Sequence, residues 1–402
     1  MSNQKPHKQD EYYAHGNSMK DFLRSLFIAN ARPTQGRVAV RDGLDVKRTM
    51  HMVMICLLPA ILFGMYNIGY QAQIAIAAGA AAPDAWQLVP FNALFGEITT
   101  QSSGSSLFLY GASFYFPIYI TALSVNLFWE VIFARVRKQQ LHEGFFVTAL
   151  LFTLILPVNT PLWMVAMGIS FGVVMGKEVF GGMGCNFLNP ALTSLAFIYF
   201  AYPKVFAAKE QLVAVDGFSG ATQLTQIAAK KLSFNDYSWF DAFTDPRWLD
   251  AFLGFQPGGI GETSTLALLI GGGLLLLTRL ANWRIVVGVL AGMILTASMF
   301  NLIGSSKNAM FALPWTWHLV TGGFAIGMMF MATDPITAAY SNKGKFAYGV
   351  LIGLMCVLIR VVNPKMPEGM MLAILFANLW APIFDYIVVQ ANIKRRIARN
   401  GL

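Results

Sequence analysis

Ten apolar runs divide the chain and limit the folds open to it. About 20 apolar residues in a helix are enough to cross the roughly 30 Å hydrocarbon core of a bilayer. The runs lie near residues 50–67, 112–133, 145–156, 162–179, 189–202, 263–278, 284–303, 315–332, 346–362 and 370–388. Hydrophobic residues make up 56% of the chain and charged residues 12%, whereas about a quarter of the residues in a soluble domain are charged. The sequence therefore predicts an all-α integral membrane protein with about ten transmembrane helices.

Two of these runs are too short to span a bilayer as straight helices. Runs 145–156 and 189–202 both adjoin Pro and Asn, in "LPVNTP" and "CNFLNPAL", and short broken helices are typical of transporter cores. The segment that begins at Gly144, "GFFVTALLFTLILPVNTP", is similar to the one that begins at Gly323, "GFAIGMMFMATDPITAA". With five runs in each half, this similarity predicts two inverted five-helix repeats. Chance similarity between glycine-rich membrane segments is the alternative.

Lys and Arg residues indicate the orientation of the chain in the membrane. They cluster before the first run, at 135–138, at 279–284, at 343–345 and at 394–399, and short cytoplasmic loops collect such charges. We therefore expect both termini to be cytoplasmic. The predicted parts are a cytoplasmic segment 1–49 with an amphipathic helix, a first repeat 50–202, an extracytoplasmic loop 203–262, a second repeat 263–390 and a basic tail 391–402.

Several kinds of chemistry are excluded by what the sequence lacks. Cys56, Cys185 and Cys356 are too far apart for a paired spacing, so no iron–sulfur site or disulfide framework is indicated. No Gly-x-Gly-x-x-Gly fingerprint for a dinucleotide is present. The net charge of +9 fits a membrane protein with basic inner loops better than a nucleic-acid-binding protein. No metal-ligand set is indicated, and no residue is assigned as catalytic.

One polar stretch stands out, "VDGFSGATQLTQ" at 215–226. It reads either as a turn before a short helix, with Ser219 or Thr222 as N-cap, or as a modification site. It resembles the flavinylation motif Asp-Gly-x-Ser-Gly-Ala-Thr, in which the final threonine receives FMN through a phosphoester bond. The positions matching that motif include Asp216, Ser219, Gly220, Ala221 and Thr222.

Other segments resemble one family over residues 42–399. The segments "EGFFVTALLF", "GKEVFGG", "NFLNPAL", "GGIGETSTLAL", "NAMFALPWTWHL", "MATDPITA" and "NIKRR" are similar to the B-type membrane subunits of the bacterial sodium-translocating NADH:quinone reductases. The D-type membrane subunit of the related ferredoxin:NAD electron-transport complex shares the flavin motif and is the alternative. The long polar N-terminal segment favours the B-type family.

The resemblance implies a membrane electron-transfer subunit of a sodium-pumping oxidoreductase. Its implied cofactors are covalent FMN on Thr222 and non-covalent riboflavin, with ubiquinone as substrate and Na+ as the transported ion. It implies a bacterial inner membrane with the Thr222 loop on the outer side. It also implies five further subunits, including an NADH/FAD/iron–sulfur subunit and a second FMN-carrying subunit, and a separate flavin transferase. A ten-helix solute carrier and a passive membrane anchor are the alternatives of other classes.

The composition of the flavin motif agrees with modification by a separate enzyme. A threonine hydroxyl is a weak nucleophile unless a base activates it, and no base adjoins Thr222 in the sequence. Gly217 and Gly220 permit unusual backbone angles, and Ala221 leaves room for an enzyme to close over Thr222. The stretch is therefore interpreted as a substrate of flavin transfer.

Quinone is expected at the inner end of the third run. Glu143 and Gly144 follow a basic loop and precede Phe145, so an apolar ring could enter where Gly144 leaves space. The resemblance also points to this glycine. The alternative is that Gly144 permits close packing of helices.

Asp385 is the expected ion ligand. An ionisable side chain within a membrane helix is costly and tends to serve ion or proton movement. The resemblance points to an acid at this position in sodium entry. Pairing with Lys394 is the alternative, although nine residues of helix separate the two by more than about 13 Å.

The segment "GGIGETST" at 258–265 opens the sixth run. It is interpreted as plain N-capping, with anion binding at a helix N-terminus as the alternative. His318 is interpreted as a satisfied interface residue.

Overall fold

The structure is a computed structural model that describes residues 46–138, 141, 143–203, 212–215, 220–229, 234, 240–305, 308–363 and 368–399. Within these ranges the regular elements are helices, and no strand is present. Most of the N-terminal segment 1–49, including its predicted amphipathic helix, lies outside the described residues. The prediction of an all-α protein is confirmed.

Six described helices are long and apolar enough to cross a membrane. They are α1 Val46–Ala77, α3 Gly104–Arg137, α5 Leu162–Gly176 with the turn Glu178–Phe180 that follows it, α10 Trp283–Ile303, α13 Asn342–Val362 and α14 Met370–Arg399. The other helices are shorter: α2 Val89–Phe95, α4 Gly144–Leu154, α6 Pro190–Ala201, α7 Gln223–Ala228, α8 Pro246–Leu253, α9 Thr265–Leu277, α11 Trp315–Val320 and α12 Phe324–Ile326, which runs on into a π-helical turn at Gly327–Met331.

Each apolar run of the sequence overlaps a helix, but two runs differ from their predicted form. The short helices α4 and α6 match the expected broken runs. Run 315–332, predicted as one helix, is interrupted at Thr321 and Gly322, where Gly322 adopts a φ of +62°. The α9 helix has only 13 residues. The break at Thr321 and Gly322 is not marked by proline, which is why the hydrophobic pattern did not reveal it.

Helix packing depends on glycines that let backbones approach each other. The α1 helix packs on α3 and α9, the α5 helix packs on α3 and α6, and the α13 helix packs on α10 and α14. A Cβ added at Gly353 of α13 would lie 2.1 Å from the carbonyl oxygen of Val289 on α10. A Cβ at Gly111 of α3 would lie 1.8 Å from the carbonyl oxygen of Met65 on α1. Small residues at such crossings are how helices associate in lipid.

The broken ends of α4 and α11 are closed by partners from elsewhere in the chain. The carbonyl oxygens of Leu154 and Leu156 accept hydrogen bonds from the N–H groups of Gly261, at 2.7 Å, and Ile260, at 3.0 Å. At the end of α11, the fully buried Arg360 donates to the carbonyl oxygens of His318, at 2.9 Å, and Thr321, at 2.8 Å. Backbone groups freed by a break are therefore satisfied inside the protein.

A buried ion cluster joins α3 to the end of α5. Lys177 pairs with Glu130 of α3 and lies 3.7 Å from Glu178, which also binds Arg137. Glu130, Lys177 and Glu178 are all buried. Because buried charges are tolerated only when they are paired, this cluster fixes the relative position of the two helices.

We predict that Gly353→Val will destabilise the fold by about 3 kcal/mol or more, since the added atoms collide with backbone that cannot move aside as a side chain could. The measurement is the free energy of unfolding in mixed detergent micelles. Gly273→Val is the matched control, because a Cβ at Gly273 meets nothing within 4 Å. Equal losses in the two variants would show that helix propensity, and not the close crossing, sets the effect.

Candidate functional site

The proposed FMN acceptor begins a short helix and is buried. Thr222 is the N-cap of α7, and its Oγ1 accepts a hydrogen bond from the N–H of Thr225 at 3.2 Å. The same oxygen lies 2.8 Å from the Thr225 hydroxyl. Thr222 is 7% exposed. Of the matching motif residues, Gly220 and Ala221 are described, whereas Asp216 and Ser219 lie outside the described residues.

Tertiary contacts fasten this segment to the membrane helices. Leu224 and Ile227 of α7 are completely buried. Just before the motif, the carbonyl oxygen of Val213 accepts from the Asn159 amide at 2.9 Å, and that of Ala214 accepts from the Tyr110 hydroxyl at 2.6 Å. The hydroxyl that would be esterified is therefore held in a packed segment and is not displayed on a free loop.

Gly144 begins α4 and lines a cavity. The cavity wall on α4 consists of Gly144, Val147, Thr148 and Leu151. Facing it are polar side chains from separate elements, namely Lys177, Asn186, Asn189, Thr333 and Asp334. The remaining walls include Met50, Leu275, Leu280 and Phe330. A flat ring with carbonyl groups at its edge fits such a mixture of apolar walls and hydrogen-bonding groups.

The other two residues expected beside Gly144 do not line this cavity. Glu143, the residue before α4, is buried with 3% exposure. Phe145 is also buried, stacks on Phe146 with 4.1 Å between ring centroids, and accepts a hydrogen bond from Asn126 at its carbonyl oxygen. Successive helical residues point about 100° apart, so one of three neighbours faces the cavity.

Sequence reasoning missed the polar wall of this cavity. Asn189 caps α6 by accepting from the N–H groups of Ala191 and Leu192, and the Asp334 carboxylate accepts from the Ile336 N–H and the Thr337 hydroxyl. Asn189 lies in "NFLNPAL" and Asp334 in "MATDPITA". The signal available in the sequence was a single amide or acid next to an interrupted apolar run. Their shared cavity was not visible in the chain.

Asp385 holds the start of α13. Its carboxylate accepts from the N–H groups of Tyr340, at 2.7 Å, and Ser341, at 2.8 Å, and from the Ser341 hydroxyl at 2.5 Å. Ser341 is in turn the N-cap of α13. The carboxylate thus has three donors in the described chain, and none of them belongs to Lys394. Its part in ion movement stays a prediction.

A second group of buried polar residues surrounds the break at Gly322. Ser264 caps α9, as the N-capping interpretation of "GGIGETST" predicted. Glu262 in the same segment turns inward, and its Oε1 accepts from the Gly259 N–H at 3.0 Å. A Cβ at Gly323 would lie 2.8 Å from the Glu262 Oε2. His318 is buried, and its Nδ1 lies 3.4 Å from the Arg360 Nη1. Glu262 and Arg360 were not singled out from the sequence.

Comparisons with known proteins agree with the resemblance noted in the sequence. The model of the NQR2, RnfD, RnfE family matches residues 34–394. The chain is 53% identical over 396 residues to the B-type subunit of the Na(+)-translocating NADH-quinone reductase of Pseudoalteromonas atlantica, covering 98% of this chain and 96% of the relative. The B-type subunits of the same reductase from Neisseria meningitidis serogroup B and Azotobacter vinelandii are each 53% identical, over 404 and 394 residues, covering 98% and 97% of this chain and 95% of each relative.

The match spans both halves of the chain, the Thr222 segment between them and the cavity beside Gly144. The predicted resemblance to the B-type subunits is confirmed, and the chain belongs to the NQR2, RnfD, RnfE family.

Proposed function

We propose that this chain is the membrane electron-transfer subunit of a sodium-pumping NADH:quinone oxidoreductase. The observation that carries the proposal is its 53% identity, over 98% of its length, to a protein named as the B-type subunit of a Na(+)-translocating NADH-quinone reductase. Relatives with this name favour the B-type assignment over the D-type subunit of the ferredoxin:NAD complex. NADH oxidation and iron–sulfur chemistry belong to other subunits in this proposal, because the sequence has neither clustered cysteines nor a dinucleotide fingerprint.

The proposed topology has ten membrane segments in two inverted halves within a bacterial inner membrane. Packing of the helices supports it: the fourth segment of each half, α5 or α13, packs on the second and fifth segments of the same half. The first segments of the two halves, α1 and α9, pack on each other. Both termini are cytoplasmic and Thr222 is extracytoplasmic in this proposal, which the distribution of Lys and Arg supports.

Thr222 is the proposed attachment point of FMN. A phosphoester needs a free hydroxyl, but the Thr222 oxygen is buried and engaged with Thr225. The flavin transferase therefore has to act while the 220–228 segment is displaced from its packed position. Tethering by phosphate leaves the isoalloxazine ring free to pass electrons, with the protein tuning its potential.

The cavity beside Gly144 is the proposed site of a redox-active ring. The quinone head group is the ring expected there, and the apolar walls suit it. The several polar groups opposite Gly144 also suit the isoalloxazine of non-covalent riboflavin, which carries more hydrogen-bonding atoms. Riboflavin in this cavity is therefore the second candidate.

We expect Thr222→Val to abolish covalent FMN while membrane insertion is unchanged, because loss of an N-cap costs only about 1 kcal/mol. The measurement is the fluorescence of the protein band after denaturing electrophoresis. Thr225→Val is the matched control, since it removes the partner of the Thr222 hydroxyl but leaves the acceptor. A fluorescent Thr222→Val band would contradict this assignment. A fluorescent wild-type band would count against a solute carrier or a passive anchor, because neither is expected to carry covalent flavin.

Gly144→Leu should raise the apparent KM for quinone about fivefold or more without changing flavin content, because the new side chain meets Met183, whose Sδ lies 2.8 Å from the Cβ position, and enters the cavity. Steady-state quinone reduction and extracted flavin are both measured. Gly273→Leu serves as the control. Loss of the extractable riboflavin would assign the cavity to that cofactor, and unchanged kinetics with unchanged flavin would leave Gly144 as a packing residue.

Asp385→Asn is expected to weaken the sodium dependence of quinone reduction, so that the half-activating sodium concentration rises about tenfold. The Thr222-linked FMN should stay fully loaded. An amide keeps one acceptor oxygen but presents N–H groups to the Tyr340 and Ser341 donors. A loss of these structural hydrogen bonds must therefore be distinguished from a loss of sodium binding. Ser341→Ala removes one of those donors and keeps the carboxylate. An equal loss of sodium activation in Ser341→Ala would make Asp385 a structural cap and remove it from the ion path.

A further inference from the structure

A small cavity lies beside the break between α11 and α12, apart from the one at Gly144. Its volume is about 40 Å³, which is enough for a few water-sized guests but not for an organic molecule. Glu262, Glu368 and Tyr199 are its polar lining residues, and the other walls are apolar side chains or glycine. Two carboxylates therefore share one small space with largely apolar walls.

Among the residues that the structure describes, neither carboxylate has a direct counter-ion. Glu262 is 8% exposed, and its hydrogen bond is the one to Oε1 from the Gly259 N–H. Glu368 makes no hydrogen bond with any part of the chain that the structure describes, and no Lys, Arg or His nitrogen of that part lies within 4.0 Å of either carboxylate. An ionised carboxylate in such surroundings is strongly disfavoured unless a positive charge compensates it.

Arg360 is the nearby cation, but its guanidinium is used elsewhere. Its Nη1 and Nη2 atoms donate to the carbonyl oxygens of His318 and Thr321. With both glutamates ionised, the group of Glu262, Glu368 and Arg360 carries one net negative charge. One further positive charge makes the group neutral, and the cavity provides the space for it.

The groups around Glu262 act on its pKa in opposite directions, and the raising effects are the larger. Burial, with Glu368 as the second cause, raises the pKa of Glu262 to about 8, against the lowering effects of the Gly259 N–H and Arg360. Tyr199 of α6 and Glu368 line the same cavity, and His318 of α11 contacts Arg360 of α13. Burial also raises the pKa of Glu368. At neutral pH the pair thus retains a proton or takes another cation.

We propose that Glu262 and Glu368 form a site for one exchangeable monovalent cation, either a proton or a sodium ion. The site lies close to α7, the helix whose N-cap is Thr222: a Cβ at Gly322 would be 3.5 Å from the Leu224 Cδ2 of α7 and 4.0 Å from the Glu368 Cγ. A change in the packing of α7 when its flavin changes charge would therefore reach the carboxylate pair. The part this site plays in ion transport rests on the proposed function, whereas the binding of the cation does not.

The test uses the purified whole complex with Glu262→Gln and Glu368→Gln, and Glu97→Gln as the matched control, because Glu97 is an exposed acid in the loop before α3. Activity is measured against sodium concentration and against pH, with covalent flavin quantified in each preparation. If sodium is the guest, the half-activating concentration rises about tenfold in both variants. If a proton is the guest, the pH profile near 8 moves by about one unit or more while the sodium midpoint stays.

An infrared difference spectrum between sodium-free and sodium-containing samples gives a readout besides activity. If sodium removes a band of a protonated carboxyl group, and Glu262→Gln lacks that band, then sodium and a proton compete for this site. If the complex with Glu262→Gln fails to assemble, the complex with Glu368→Gln still tests the proposal. The proposal is overturned if both variants match Glu97→Gln in both profiles and in the spectrum. Absence of covalent flavin from the wild-type chain would instead count against the proposed function alone.

Discussion

The fold depends on satisfying the backbone at the ends of the short helices α4 and α11, which are buried inside the protein. Lipid offers no hydrogen bonds, so each carbonyl or N–H group freed by a break must find a partner within the protein. Where α4 ends, the carbonyl oxygens of Leu154 and Leu156 accept hydrogen bonds from the N–H groups of Gly261 and Ile260. Where α11 ends, the side chain of Arg360 donates hydrogen bonds to the carbonyl oxygens of His318 and Thr321. Without these contacts the short helices could not end where they do.

These contacts also determine where the functional groups lie. The segment 260–261, whose N–H groups bind the last carbonyl oxygens of α4, precedes Glu262 directly. The arginine that binds the end of α11 contacts His318 and counters the rise that burial causes in the pKa of Glu368. Arg360 is completely buried, so replacing it with an apolar residue would remove the donors to the His318 and Thr321 carbonyl oxygens and the positive charge of Arg360 near the two glutamates. The same arrangement thus terminates a helix and sets the charge of the small cavity.

The sequence singled out some residues of the candidate sites and missed others. Thr222 and Gly144 were singled out as candidates because a local motif or a glycine at a helix start is visible in a short window, and their roles stay predictions. Glu143 and Phe145 were grouped with Gly144 by adjacency, although neighbours on a helix face different directions. Lys177, Asn186 and Asp334 were missed, because they come from separate elements and share a cavity only in three dimensions. The hydrogen bonds of Asp385 to the start of α13 were invisible for the same reason.

The sequence by itself determined that the chain is a helical membrane protein, since apolar runs of sufficient length specify helices wherever water is excluded. It also contained a segment, 215–226, that resembles a flavinylation motif, and it carried the resemblance to the family. The tertiary structure decided where run 315–332 breaks and which residues close the breaks. It also decided that the Thr222 hydroxyl is buried in a cap and that Glu262 and Glu368 line one cavity without a direct counter-ion among the described residues. These features arise from contacts between residues far apart in the chain, and no local pattern of hydrophobicity encodes such pairings.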